Sequence, residues 1–261
     1  MNQGIISKEF YIGRYIYLTE QLARLPIAVF NRVCNYNGIA IWTIDKQTGK
    51  KVRVKRLTEN NPEYSRYSEI ALKRAHLEEQ LKITLNNWSK DYRGNLTDIA
   101  AGYLIVPNTD NVYSSAFWSR LNNNSNSYEQ DRKVMHNSIM MRSQFEADVA
   151  NILEELGIDY KYEVELLFNS KDRYYPDFSL NFPEYNRCGF LEALGGMDNF
   201  GYVGHNAKKL NTYFNAGLYP NRDIAFIAGD LNYRPDYATM KRIIGVMCDA
   251  FARQYVLKKI R

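Results

Sequence analysis

A chain of 261 residues is long enough to bury a full core, as one large domain or two small ones, and 45% hydrophobic with 24% charged residues is a globular composition, not a disordered or fibrous one. The formal charge of +5 is uneven: residues 1–140 carry 19 Lys and Arg against 13 Asp and Glu, and residues 141–261 carry 15 against 16, which fits a nucleic-acid grip joined to a carboxylate site and equally an unevenly solvated protein. Three separated cysteines (Cys34, Cys188, Cys248) show no zinc spacing and read as buried reduced thiols; no apolar run is long enough to span a bilayer and the opening residues lack a secretory pattern, so the expected location is the cytoplasm, away from membranes.

The first 33 residues read as partly helical. In LTEQLARLPIAVFNRV, Leu22, Leu25, Val29 and Val33 form a pattern that Pro26 interrupts, leaving helix and strand both open around it. Gly38–Ile44 is a strand by its β-branched content, 45–49 a turn, and Lys50–Leu57 the return strand of a hairpin. In that return strand Val52 and Val54 alternate with Lys51, Arg53 and Lys55. One face is therefore expected to be apolar and the other a row of three cations about 7 Å apart. With Lys50 and Arg56 these residues are candidates for contact with a phosphate backbone; a solvated outer face is the plain alternative. Beyond a polar link, a helix is expected over Tyr64–Trp88, with Leu77, Leu81, Leu85 and Trp88 as its buried stripe and Lys73, Arg74, His76 and Lys82 as solvated surface. Residues 89–135 carry little pattern. AAGYLIVP reads as strand or short helix ending at Pro107. The polar run Asn122–Ser127 reads as an exposed loop and as the boundary between a basic N-terminal region, 1–135, and a second domain, 136–261.

From Ser138 the pattern is regular. A helix is expected to Leu156, with Phe145, Val149, Ile152, Leu153 and Leu156 on one face and Gly157 as its stop. Tyr160–Phe168 is a strand, 169–172 a turn, and Tyr174–Gly196 holds two more strands. Tyr202–Asn215 is a helix, Arg222–Ala228 a buried strand, and Tyr237–Leu257 the closing helix with Ile243, Ile244, Met247 and Phe251 inward. Consecutive strands on short turns are antiparallel, and a strand–helix–strand unit adds a parallel neighbour. The expected class is mixed α/β (α+β), a mixed sheet flanked by helices.

The stretch YYPDFSLNFPEYNRCGFLEALGG (174–196) carries the chemistry. It sets Asp177 on one strand and Glu192 on the next, both among apolar or aromatic neighbours. Burying a carboxylate unpaired is costly, and two on adjacent strands repel; a divalent cation between them resolves both problems. Glu146, at the edge of the preceding helix's apolar stripe, is a third acid. Phosphodiester hydrolysis needs such hard oxygen ligands, with Lys or Arg nearby to offset charge in the transition state. Singly, each has a structural role open to it: Asp177 as a turn cap, Glu192 in helix-prone L-E-A-L, Glu146 as a surface acid. Glu163 and Glu165 read as solvent-facing or supporting, Asp198 as a helix cap, and His205 as structural.

The segments R-S-Q-F-E (142–146), Y-E (162–163), Y-P-D-F (175–178), L-E-A-L-G-G-M-D-N (191–199) and K-L-N-T-Y-F-N-A-G (209–217) resemble the PD-(D/E)XK nuclease superfamily, nearest to nuclease-like proteins of phages and mobile elements. The likeness covers about residues 140–230; the basic hairpin and long helix resemble the N-terminal part of that group more loosely. It implies a restriction-endonuclease-like αβββαβ core and a metal-dependent DNA endonuclease using Mg²⁺ or Mn²⁺. By the same resemblance Asp177, Glu192 and the carbonyl of Ala193 would be metal ligands, and Glu146 would hold the ion directly or through water. The family's lysine would stand at position 194, where this chain has Leu194. The resemblance moves that role to Lys209, in the K-x-x-x-Y of the next helix, with Lys208 and Lys161 as lesser substitutes. DNA is the implied partner, and a homodimer stays open as a way of cutting both strands. The alternative is a catalytically inactive nuclease-fold module that binds nucleic acid or a protein. A third reading makes the N-terminal half a platform for acidic protein partners.

Overall fold

Ser7 opens the first helix, α1 (Lys8–Arg24), its hydroxyl accepting the amide of Phe10 at 3.4 Å. This is a computed structural model, and it describes residues 6–33, 36–106, 111–125, 134–168, 172–197, 199–229, 233–254 and 257–259. The helix stops ahead of Pro26, and the chain enters a strand, β1 (Ile27–Val33), so the interrupted pattern resolves as helix then strand. β1 pairs antiparallel with β2 (Tyr36–Ile44), and β2 with β3 (Lys51–Thr58). The result is a three-stranded meander, one strand more than the expected hairpin. Asp45 closes its turn, the carboxylate accepting the amides of Gln47 at 3.1 Å and Thr48 at 2.7 Å. One face of this sheet, Ala28, Ile39 and Leu57, lies on Ala71 of α2 (Tyr64–Asp91), flanked by Tyr64, Tyr67 and Ile70.

The buried side of α2 differs from the expected leucine stripe. Leu77 and Trp88 are buried, but Leu85 is exposed and Gln80, Thr84 and Asn87 are buried in its place. Their polar groups are satisfied, which keeps the cost of burial low. Gln80 accepts from Arg14 and donates to Asp159 at 3.0 Å, and Asn87 donates to the carbonyl of Glu155 at 2.8 Å. Arg74 is not plain surface either. It donates to the carbonyls of Leu22 and Leu25 at 3.1 and 3.3 Å, closing the end of α1. His76 lies 3.0 Å from Asp159.

Next come two short helices, α3 (Leu96–Ala100) and α4 (Ser115–Arg120), with a strand between them, β4 (Tyr103–Ile105). The polar run after α4 is described to Ser125; Asn126 and Ser127 lie outside the described residues. Its described part is laid along the chain that follows Tyr160. The amides of Asn124 and Ser125 donate to the carbonyls of Tyr162 and Glu163 at 2.7 and 2.9 Å, and Asn123 accepts the Tyr162 amide at 2.7 Å.

The helix expected from Ser138 begins later. A hairpin, β5 (Val134–His136) and β6 (Ile139–Met141), precedes α5 (Gln144–Glu155), which Ser143 caps. Gly157 ends α5 at φ +67°, where a Cβ would also stand 2.8 Å from Oε1 of Gln80. The long strand expected next is two, β7 (Asp159–Tyr162) and β8 (Leu166–Phe168), because Glu163 turns the chain at φ +45°. Of the expected 169–172 turn, 169–171 lie outside the described residues; Asp172 begins β9 (Asp172–Tyr174), which pairs with β8. β10 (Phe178–Phe182), a 3-10 turn (Pro183–Tyr185), β11 (Arg187–Leu194), α6 (Phe200–Asn215), β12 (Ile224–Ala228), α7 (Tyr237–Gln254) and β13 (Leu257–Lys259) complete the chain, β13 pairing with β4.

The main sheet runs β12-β11-β10-β7. β7, β10 and β11 are antiparallel neighbours and β12 is parallel to β11, which makes the fold the mixed α/β class expected. β11 is buried along its whole length. On one side Leu191 and Ala193 join a large core that unites Phe10, Tyr11, Trp88 and Leu96 with Val149, Leu153, Ile244 and Phe251, so side chains from both 1–135 and 136–261 share it. On the other side Cys188 and Phe190 pack with Tyr213, Leu218 and Ile224. Cys188 and Cys248 are buried and unbridged; Cys34 lies outside the described residues. Among the described residues no helix is long and apolar enough to cross a membrane.

Candidate metal centre

Glu192 lies two residues beyond Phe190 on β11 and so shares its face of the sheet. α6 reaches that face through Tyr213, which packs with Cys188 and Phe190. Tyr213 donates its hydroxyl to Oε1 of Glu192, and the Lys209 ammonium lies 2.6 Å from Oε2. Lys209 and Tyr213 stand four residues apart, so the helix presents both side chains to one acid. Glu192 is 1% exposed. Burial pushes its pKa up to about 8, against the attraction of Lys209. Burial also opposes the charge on Lys209, but the fields of Glu192 and Asp177 hold its pKa above the ordinary lysine value. We take Lys209 as charged. Leu194, two residues further along this face, is a buried apolar side chain where the resemblance would place a lysine.

Asp177 stands just ahead of β10, not within the strand as expected. It is 6% exposed. Its Oδ2 accepts the amide of Ala193 at 2.8 Å, and its carbonyl accepts the amide of Glu163 at 3.0 Å. These two bonds tie the acid to β11 on one side and to the bend after β7 on the other. Ala193 therefore meets Asp177 through its N–H, while its carbonyl accepts the amide of Gly195 at 3.0 Å.

Glu146, in the first turn of α5, is 7% exposed. Its Oε2 accepts the Tyr162 hydroxyl at 2.7 Å and the Arg142 amide at 3.0 Å. Burial, and then the charge of Asp177, raise its pKa. Glu163 is fully buried and paired with Arg142, so it supports the site from inside rather than facing solvent. Glu165 bonds Arg173 at 2.9 Å and Tyr175 at 3.1 Å.

The charge of Asp177 thus adds to the rise of both Glu146 and Glu192, and Lys209 sits on Glu192. Lys208 and His205 are exposed on α6. Lys161 is committed elsewhere, donating to the carbonyls of Trp118 and Leu121 at 2.8 and 2.6 Å. Asp198 lies outside the described residues; Asn199 caps α6, accepting the Gly201 amide at 2.9 Å. Lys50 precedes β3, and Lys51, Arg53, Lys55 and Arg56 lie on it, in the separate three-stranded sheet. Tyr162, Tyr213 and Arg142 have no role assigned from the sequence, although each stands in a segment that carries the resemblance: Y-E, K-x-x-x-Y and R-S-Q-F-E.

The donor set suits a hard divalent cation: carboxylate and carbonyl oxygens, with four acids (Glu146, Glu163, Asp177, Glu192) against two cations (Arg142, Lys209). Burial is the main cause of the raised pKa values of Glu146 and Glu192, and the charge of Asp177 adds to it. Among the described residues, no three Asp, Glu, His or Cys side chains meet as a ready ligand shell. Each of the three candidate acids is instead bonded to protein donors. The fit is thus one of charge and donor type. Comparison with protein-family models, curated proteins and solved structures finds no match to this chain.

Proposed function

We propose that this chain is a metal-dependent DNA endonuclease of the PD-(D/E)XK type, associated with a phage or mobile element. The observation that carries the proposal is the buried group at the end of β11. Asp177, just ahead of β10, is bonded to β11 at the residue after Glu192, its charge acts on Glu146, and Lys209 reaches Glu192 from the following helix. The order α5, β7, β10, β11, α6, β12, with three antiparallel strands and a parallel fourth, supports a restriction-endonuclease-like core.

Asp177, with Glu146 and Glu192, would hold Mg²⁺ or Mn²⁺. Such an ion supplies an acidified water and charge compensation at phosphorus. The chain's own contribution is positioning. Tyr162 and the Arg142 amide fix Glu146, the Ala193 amide fixes Asp177, and Tyr213 fixes Glu192. Lys209 supplies the positive charge that Leu194 cannot, and it can offset negative charge developing on a bound phosphodiester.

A second reading, a nuclease-fold module that binds nucleic acid or a protein without cutting, is favoured by one observation: both oxygens of Glu192 are already bonded, to Lys209 and Tyr213. Incubation of supercoiled plasmid with the protein in Mg²⁺ or Mn²⁺ separates the two. Nicking that disappears in EDTA and in Asp177→Ala and Glu192→Ala is the expected result. Cutting that survives both substitutions sinks the site assignment; no cutting, with salt-sensitive DNA binding, transfers the case to the second reading.

A further inference from the structure

The three-stranded sheet has two unlike faces, and a β-bulge decides which cations belong to which. Pairing along β2 and β3 shifts between Ile41 and Trp42: Ile41 opposes Lys55, Trp42 opposes Arg53, and Val54 is the extra residue. The simple alternation of Lys51, Arg53 and Lys55 is therefore broken. Side chains opposite one another across a sheet share a face, so Lys55 lies with Ile41 and Ala28 on the face that packs on α2, where it is paired to Glu63. The opposite face takes Lys51 beside Ile44, Arg53 beside Trp42 and Ile27, and Arg56 beside Ala40 and Val29.

Lys51, Arg53 and Arg56 are exposed, and among the described residues no carboxylate pairs with them. Apolar side chains are interleaved with them. Trp42 is half-buried with the Lys51 ammonium 5.2 Å from its ring centre, Val29 is 40% exposed and Ile44 50% exposed. The Arg56 guanidinium lies close over Gly38, where a Cβ would stand 3.1 Å from its Nε. From Lys51 to Arg56 the cations run along the strand for on the order of 16 Å.

We propose that this face binds single-stranded DNA, with phosphates on Lys51, Arg53 and Arg56 and an unpaired base on Trp42. A duplex shows phosphates to such a surface but hides its base faces, which leaves Trp42, Val29 and Ile44 without a partner. A single strand supplies both chemistries, and stacking on an aromatic beside a cationic track is how unpaired nucleic acid is commonly held. Lys51 rests over Trp42 in the free protein and moves to a phosphate when a base takes the ring. This site rests on the nucleic-acid reading above, but it needs neither the metal nor cleavage.

The test is fluorescence anisotropy of a labelled oligonucleotide, single-stranded and duplex, titrated with full-length protein in EDTA over a range of salt. The result expected is tighter binding of the single strand. Arg53→Ala and Arg56→Ala should each weaken it several-fold and lower the salt slope by about 0.7. Trp42→Ala should weaken single-strand binding about tenfold, Trp42→Tyr should retain most of it, and Lys55→Ala should bind like the parent protein. Arg53 and Arg56 are surface residues, so their variants keep the test valid if Trp42→Ala fails to fold. Equal or tighter duplex binding, Lys55→Ala losing as much as Arg56→Ala, or no loss with Arg53→Ala and Arg56→Ala overturns the proposal. Plasmid nicking in Mg²⁺ is read separately, so failure here leaves the nuclease reading standing.

Discussion

Replacing Lys209 by methionine removes the cation from a pair in which Glu192 is 1% and Lys209 20% exposed at the side chain. Breaking a buried pair by deleting one partner costs roughly 3–5 kcal/mol, because the remaining charge is left unpaired. Here the cost depends on pH. Burial raises Glu192 to about 8 in the folded protein, against about 4.3 unfolded. A raised carboxylate binds its proton in the folded state; the stability this brings is fully present below about 4.3 and is lost as pH rises through about 8. At pH 6 Glu192 in Lys209→Met carries a proton, and the loss shrinks to that of a hydrogen bond, about 1 kcal/mol. At pH 9 the parent holds an ionised pair, whereas the variant loses the attraction of Lys209 that lowers Glu192 and must bind a proton or carry an unpaired charge, so the loss grows toward an upper limit of roughly 3–5 kcal/mol. At about 2–4 °C per kcal/mol for a chain of this size, melting followed by far-ultraviolet circular dichroism at both pH values resolves the difference. Lys209→Arg, which keeps the charge, should lose less at pH 9. A loss equal at the two pH values, or larger at pH 6, would refute the view that Lys209 offsets the charge of Glu192.

Tyr213→Phe removes the other donor to Glu192 and should cost about 1–3 kcal/mol in urea denaturation; an unchanged midpoint would mean the hydroxyl bond carries no weight. Arg14 is buried against Glu184, at 3.1 Å with 4% and 0% of the side chains exposed, and burial raises the pKa of Glu184 even against that arginine. Arg14→Met should therefore cost about 3–5 kcal/mol, and the double variant with Glu184→Leu should recover part of it; a double variant less stable than the single would contradict this.

The residues legible from sequence alone were those whose chemistry clashes with their neighbourhood. Asp177 and Glu192 stood out as acids in apolar stretches, and the structure buries both. Lys209 was picked out by the resemblance, through the K-x-x-x-Y of the following helix, and both Lys209 and Tyr213 reach Glu192. The sheet order followed from short turns and one crossover. What escaped depends on backbone detail or on distant partners. A single extra residue, Val54, moved Lys55 off the cation row. Glu163 at φ +45° broke a strand that composition read as continuous, and of the two roles open to it, solvent-facing or supporting, its pairing inside with Arg142 fits the second. The Asn122 run has a linker's composition, yet its amides serve the exposed edge of β7, because an unpaired strand accepts any backbone that lies beside it. Arg74, Gln80 and Asn87 of α2 look like solvent-facing residues until the carbonyls and side chains they bond are in place.

Asp177, Glu146 and Glu192 are proposed to hold a divalent cation together. Titration of Mn²⁺ into the full-length protein, with free ion counted by electron paramagnetic resonance, tests it most directly. A saturable site in the parent, lost in Asp177→Asn and weakened in Glu146→Gln, is the result predicted. Mn²⁺ binding that is the same in the parent and in Asp177→Asn, or absent from a folded parent, would contradict it.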